Sequence, residues 1–456
     1  MPDKNNVSGY TLVKFWKGGR ERLLTGNAYL WRGIKPYRLD EPTVPRNDPY
    51  ASMRNVEFRY FLVIRFALIF ALSMQFAIIE WKVYMLPRDP LNLGLIGLAE
   101  FVPAFCLALF AGNIVDKKEK RGMVLKCLLG YVVVGTGLFL LTWDDVMAGV
   151  PQTWVLFMIY FLVCCGGIIR AFVSPSNFSL LGLLVPRNLY VNATTWSTSA
   201  WQIGAIAGPA LGGLCIAMFG VHWSMLLVLG CIFVSLYCIL QIKRKPVHYK
   251  EMGETVKERL TKGLKFVWNT KVLLNAMTLD MFAVLFGGSV AMITIYANDI
   301  LKVGPEGFGA LRAAPAVGAF LTMMALAYRP IVTRPGIKLL AAVFGFGLCI
   351  IVFGLSKNFL LSMAALFGSG MLDGISVIIR QTILQLKTPD DMRGRVSSVS
   401  SIFVGSSNEL GSFESGVMAR LLGPVGSVVF GGFMTLGVVV TTYIISPAMR
   451  KLDLKA

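Results

Sequence analysis

The chain has 456 residues, of which 55% are hydrophobic and 15% charged, and its mean hydropathy is +0.65. That exceeds what the core of a water-soluble domain of this length needs, so a lipid bilayer is the expected solvent. The formal charge of +19 would suit a nucleic acid only as one solvent-facing patch, whereas the basic residues here lie between apolar segments, which excludes that partner.

Residues 1–57 form a basic N-terminal extension in which Phe15, Trp16, Tyr29 and Trp31 stand among lysines and arginines. That mixture predicts contact with anionic lipid headgroups, with regulation as the weaker alternative. It contains no apolar run before a small-residue cleavage site, so the first span is expected to act as the insertion signal.

A hydrocarbon core of roughly 30 Å needs roughly 20 apolar residues to cross it. Twelve predicted spans meet that need, at 58–84, 91–115, 123–142, 155–183, 190–217, 222–241, 272–298, 308–328, 338–356, 358–386, 396–421 and 424–446. Apolar residues surround these segments instead of forming one stripe, which excludes a soluble coiled coil. The expected organisation is all-α: an N-terminal six-helix half at 58–242, a cytoplasmic linker at 243–271, a C-terminal six-helix half at 272–446 and a tail at 447–456. Within the linker, Val256, Leu260, Leu264 and Val267 have helical spacing.

Lys117, Lys118, Lys120 and Arg121 follow the second span, and Lys243, Arg244, Lys245 and Lys250 follow the sixth, while the opposite loops hold little beyond Arg88, Lys302 and Lys357. The positive-inside rule then predicts cytoplasmic termini.

A shift of 203 positions (389 − 186) aligns Gly167 with Gly370, Pro186 with Pro389, Ser197 with Ser400, Gly208 with Gly411, Gly213 with Gly416 and Gly220 with Gly423. Spans 4 and 5 are thus repeated as spans 10 and 11. Parallel six-helix repeats place substrate at mid-membrane between two rocking halves.

Ionisable groups inside membrane spans need a partner, a wet cavity or a function. The candidates are Arg65, Glu80, Glu100, Arg170, Asp280, Asp373, Glu409 and Glu414. The 203-residue shift maps Arg170 onto Asp373, which predicts that both face one central cavity, either coupling protons or forming a static ion pair. Glu80 and Arg65, near span ends, are expected to snorkel. Glu409 lies in Ser406-Ser407-Asn408-Glu409, too polar for a lipid face, and Asp280 either caps a neighbouring helix or moves protons.

Gly204, Gly208, Pro209, Gly212 and Gly213 combine small residues at helical spacing with a bend-forming proline, which reads first as tight helix packing. The loop Gly112-Asn113-Ile114-Val115-Asp116-Lys117-Lys118-Glu119-Lys120-Arg121 sets one acid before a basic cluster, either as a membrane anchor or as a gate latch.

Eight cysteines lack metal-ligand or CxxC spacing, so no metal is expected. No P-loop, HExxH or GxSxG occurs, and the two histidines, His222 and His248, stand at a span start and in the linker. No enzyme and no cofactor is expected, and energy should come from an ion gradient.

These motifs resemble the major facilitator superfamily, specifically its multidrug and siderophore exporter branch, over about residues 58–446. The resemblance implies that Gly112, Asp116, Lys117, Lys120 and Arg121 lock a cytoplasmic gate, although Glu119 stands where the superfamily pattern has glycine. Gly204 to Gly213 is similar to the helix-5 motif of proton-driven antiporters. Leu184-Val185-Pro186-Arg187-Asn188 and Thr388-Pro389-Asp390-Asp391-Met392-Arg393-Gly394-Arg395 are also similar to this branch. The loop between spans 8 and 9, Tyr328 to Pro335, lacks the acid that a second gate copy should carry.

The implied function is a monomeric, multi-pass transporter of the bacterial inner membrane that exports a small amphipathic molecule in exchange for protons. A lysophospholipid carrier and a non-transporting membrane sensor are the alternatives.

Overall fold

A computed structural model of the chain describes residues 50–86, 89–143, 146–186, 189–245, 256–328, 334–389, 392–450 and 452. The basic extension up to residue 49, His248, and the acid-free loop at 329–333 lie outside the described residues. The chain divides into Met1–Ala51 and Ser52–Ala456, and the helical bundle belongs to the second unit.

Six long helices come first: α1 (Val56–Met85), α2 (Pro90–Lys117), α3 (Lys120–Thr142), α4 (Gln152–Leu184), α5 (Tyr190–Phe219) and α6 (Val221–Gln241). The linker helix α7 (Val256–Asn269) leads into α8 (Lys271–Gly287), α9 (Ile293–Ile295), α10 (Gly304–Tyr328), α11 (Pro335–Leu355), α12 (Phe359–Lys387), α13 (Arg393–Ile445) and α14 (Pro447–Arg450). No strand occurs among the described residues.

Several starts are fixed by side chains that accept otherwise unpaired N–H groups. Asn55 accepts from Glu57, Asp89 from Leu91 just before Pro90, and Asn358 from Leu360 and Leu361.

Ten of these helices are long and apolar enough to span a membrane, and the bent pair formed by residues 261–269 and 271–287 can supply an eleventh. The twelfth is inside α13. Its 53 residues would reach roughly 80 Å at about 1.5 Å per residue, far beyond a core of roughly 30 Å. At Gly423 the chain leaves helical geometry, with φ 77° and ψ 163°, and turns back, which separates predicted spans 11 and 12. Gly220, its partner under the 203-residue shift, has φ 80° and ψ 173° between α5 and α6. Both turns need the left-handed region that a Cβ disfavours. Gly423→Ala should therefore lower stability by about 1–2 kcal/mol, read as a drop in the thermal unfolding midpoint.

Span 7 departs from expectation, because α8 ends at Gly287 instead of continuing to residue 298. A 3-10 turn (Ser289–Met292), α9 and a π-helical turn (Tyr296–Ile300) complete the crossing. The Gly287-Gly288 pair marks the break, and Phe346 and Thr435 fill the space beside Gly287. Interrupted backbone of this kind is tolerated at membrane depth where protein covers it, and residues 291–297 are buried. The helically spaced residues of the linker helix are unequally covered. Val267 is buried, Leu264 is exposed, and Gly263 lies against the backbone of Arg395.

The repeat is visible in how equivalent residues pack. Gly167 of α4 sits against the Glu100 carbonyl of α2, and Gly370 of α12 sits against the Pro315 carbonyl of α10. Gly208 meets α1 as Gly411 meets α8, and Gly213 meets α10 as Gly416 meets α2. The last two contacts join the halves, which meet chiefly through α2 with α13 and α5 with α10.

Those junctions occupy one end of the bundle, opposite the linker helix. The apolar core tells the same story. One buried cluster runs from the N-terminal half into Tyr296, Phe308, Leu311, Phe353 and Ala419 of the second half, all on the side far from the linker. On the linker side, Leu273, Leu339, Ile383 and Val396 belong to a separate cluster confined to the C-terminal half and α7. The halves share a buried apolar core on the far side, whereas the core on the linker side stays within the C-terminal half and α7.

Candidate functional site

At mid-depth, three helices bring ionisable groups together. Arg170 of α4 donates to Glu100 Oε1 of α2 at 2.9 Å, and its Nη1 stands 3.8 Å from Glu409 Oε1 of α13. Glu100 and Arg170 belong to the N-terminal half and Glu409 to the other, so this cluster bridges them. Gly97, one turn from Glu100, lies beside Glu409 Oε2, which a Cβ there would meet at 2.9 Å. The Arg170 side chain is 52% exposed, against 21% and 18% for its partners, and neighbouring Asn408 is exposed.

Arg170 and Asp373 are not paired. The pseudo-symmetry that relates them places each in its own half, and Arg170 takes its partners from α2 of its own half and α13 of the other. Asp373 instead borders a small cavity of the C-terminal half with Asp280, Phe346 and Ser376.

Arg312 and Arg380 are absent from the sequence candidates, yet they hold Glu80 and Asp280 in ion pairs. Both lie inside apolar segments, the signal that would have found them. Glu80 does not snorkel: it is 2% exposed and faces Arg312 of α10 across the two halves. Nearby on the far side, the Tyr84 hydroxyl donates to Asp299. Arg65 is half-buried with no partner for its Nε, and Glu414 keeps one carboxylate oxygen buried and unpaired.

In the loop after α2, Lys120 Nζ donates to the Val115 carbonyl at 2.5 Å. Arg121 Nε donates to Ile239 and its Nη2 to Leu240, capping the last carbonyls of α6 at 3.2 and 3.3 Å. Both partners lie in the N-terminal half. The side chain of Asp116 lies outside the described residues. Glu119 is the N-cap of α3, with φ −64°, and accepts from Arg121 and Gly122. Nothing in that turn calls for the glycine of the superfamily pattern.

The helix-5 motif serves two surfaces. Gly204, Gly208 and Gly212 face α1, while Gly213 faces Gly309 of α10, and Pro209 stands within the helix. Among the described residues no cluster of three or more His, Cys, Asp or Glu side chains suits a metal.

Two pseudo-repeated helical halves with ion pairs between them fit a secondary transporter of the major facilitator class. The chain belongs to the transmembrane secretion effector family of that superfamily, whose sequence profile matches residues 47–456. It is similar to the enterobactin exporter EntS of Shigella flexneri, 23% identical over 400 residues that cover 86% of this chain and 92% of that one. EntS of Escherichia coli O1:K1 is likewise 23% identical over 398 residues, with the same shares covered.

Among solved structures, an inward-facing, occupied bacterial homologue of the human lysosomal transporter Spinster superposes with a TM-score of 0.66 at 13% identity. That match covers 89% of this chain and 99% of that one. A D-xylose–proton symporter superposes with a TM-score of 0.67 at 11% identity, covering 88% and 100%. At such identities the likeness speaks for the fold.

Proposed function

We propose that this transporter exports a small amphipathic molecule from the bacterial cytoplasm by alternating access, exchanging it for protons at Glu100, Arg170 and Glu409. The observation that carries the reading is the single guanidinium held between two carboxylates from opposite halves. The basic loops support a cytoplasmic linker side and cytoplasmic termini by the positive-inside rule. Similarity to proteins named as enterobactin exporters supports the outward direction.

The cycle follows from charge balance. When the halves tilt to open the far side, Glu409 moves away from Arg170 and becomes an uncompensated carboxylate, which binds a proton from outside. Return to the present arrangement brings Arg170 back to Glu409, favours the anion and releases the proton inward. Cargo moves outward on the opposite stroke. Asp116 and its basic neighbours would latch the cytoplasmic gate while the far side is open.

The test is proton-gradient-driven flux in proteoliposomes, with catecholate siderophores, macrolides and lysolipids offered to wild type and to Arg170→Gln. Wild type should show cargo-dependent proton movement, and the variant should lose at least about tenfold, the equivalent of about 1.4 kcal/mol. Equal proton movement in both would remove the coupling role from Arg170. Flux of lysolipid alone would turn the reading toward a lipid carrier.

A further inference from the structure

A second polar pocket lies inside the C-terminal half, apart from the Arg170 cluster. Asp373 and Ser376 are three residues apart on α12 and Arg380 four further on, so all three share one helix face. Asp280 of α8 meets that face and is ion-paired with Arg380. Between them lies a space of about 10 Å³, the size that holds one water-sized particle. Its walls are Asp280, Asp373 and Ser376 on the polar side and Val343, Phe346 and Leu372 on the apolar side.

Two features of this pocket lack a counterpart in the protein. Ser376 is 3% exposed, and its Oγ, bordering the space, has no hydrogen-bond partner. Among the described residues Asp373 makes no ion pair or hydrogen bond, whereas Asp280 has Arg380. A buried hydroxyl left unpaired and a half-buried carboxylate left uncompensated are each costly in a membrane interior. One occupant can satisfy both.

The charges select its kind. Asp280 and Asp373 contribute −2 and Arg380 +1, so a single positive charge neutralises the pocket and a divalent ion would leave an excess. Carboxylate and hydroxyl oxygens are hard ligands suited to a hard cation. We infer that Asp373, Ser376 and the free oxygen of Asp280 form a binding site for one Na⁺, with water completing its shell on the half-exposed side of Asp373. As a binding site it stands on this geometry; any role as a second driving ion rests on the transport reading above.

The experiment uses the full-length protein in detergent. Its thermal unfolding midpoint is followed by tryptophan fluorescence as NaCl replaces choline chloride at constant ionic strength, and ²²Na⁺ binding is measured in parallel. The midpoint should rise and saturate with Na⁺ but not with choline. Ser376→Ala should need at least about tenfold more Na⁺, the size of effect that loss of one supporting group has at metal sites, and Asp373→Asn should lose the response.

Should Asp373→Asn fail to fold, Ser376→Ala and the ²²Na⁺ measurement on wild type decide. A wild-type midpoint indifferent to Na⁺, or one that shifts equally in both variants, overturns the site. A midpoint that follows pH and ignores Na⁺ assigns the occupant as a proton and overturns it too. Because binding is read without cargo, proton-driven flux without Na⁺ binding refutes the site alone, and Na⁺ binding without flux of any cargo refutes the transport reading alone.

Discussion

Gly213→Leu should reduce transport by at least about 100-fold, equivalent to about 2.7 kcal/mol, while the protein still folds and inserts. A Cβ at this position would lie 2.5 Å from both the Gly309 Cα and the Pro305 carbonyl of α10, and 2.6 Å from the Gly309 nitrogen. Those are backbone atoms that cannot rotate aside. Relief requires α5 and α10 to separate, which opens the far-side seal that the present arrangement depends on. Gly208→Leu presses instead on Phe70 and Met74 of α1, inside the N-terminal half, so it should lower stability without favouring either state. Distances between spin labels on the far ends of α5 and α10 separate the two outcomes. For Gly213→Leu they should lengthen, and an unchanged distance distribution would show that this contact does not close the far side.

Arg312→Ala should destabilise the protein by about 3–5 kcal/mol, because it strands a buried charge. Glu80 and Arg312 side chains are only 3% and 10% exposed, and Phe76 and Phe308 crowd the guanidinium at 5.5 and 5.9 Å from their ring centres. The loss comes mainly from the carboxylate left behind. Glu80→Gln with Arg312→Gln together should therefore recover most of the stability that Arg312→Ala loses. The check is a thermal unfolding midpoint for each single variant and the pair. A double variant no more stable than the single would mean that the guanidinium acts through its aromatic contacts.

How far the sequence can be read depends on the range of each interaction. Span length and hydropathy are local, so the helices stood out, and the turn at Gly423 lay between two predicted spans. The 203-residue repeat was legible because matched glycines had matched work, Gly167 against α2 and Gly370 against α10. Pairing was not legible. That Arg170 takes Glu100 and Glu409 depends on how α2, α4 and α13 cross, and alignment of Arg170 with Asp373 suggested a partnership that the two-half symmetry keeps apart. The break at Gly287 is not legible in the sequence because the residues after it are as apolar as those before.

The far-side seal is built where side chains are scarce, with Gly94, Gly213, Gly309 and Gly416 set backbone to backbone. Glycine has no rotamers, so forming these contacts freezes no side-chain torsions, whereas a seal of leucines or methionines would lose about 0.5–2 kcal/mol of side-chain entropy per residue. Opening such a junction also releases none. Its free energy should therefore lie mainly in enthalpy and in the displacement of lipid and water, and the balance between the two access states should shift with membrane thickness and lateral pressure more than with side-chain disorder.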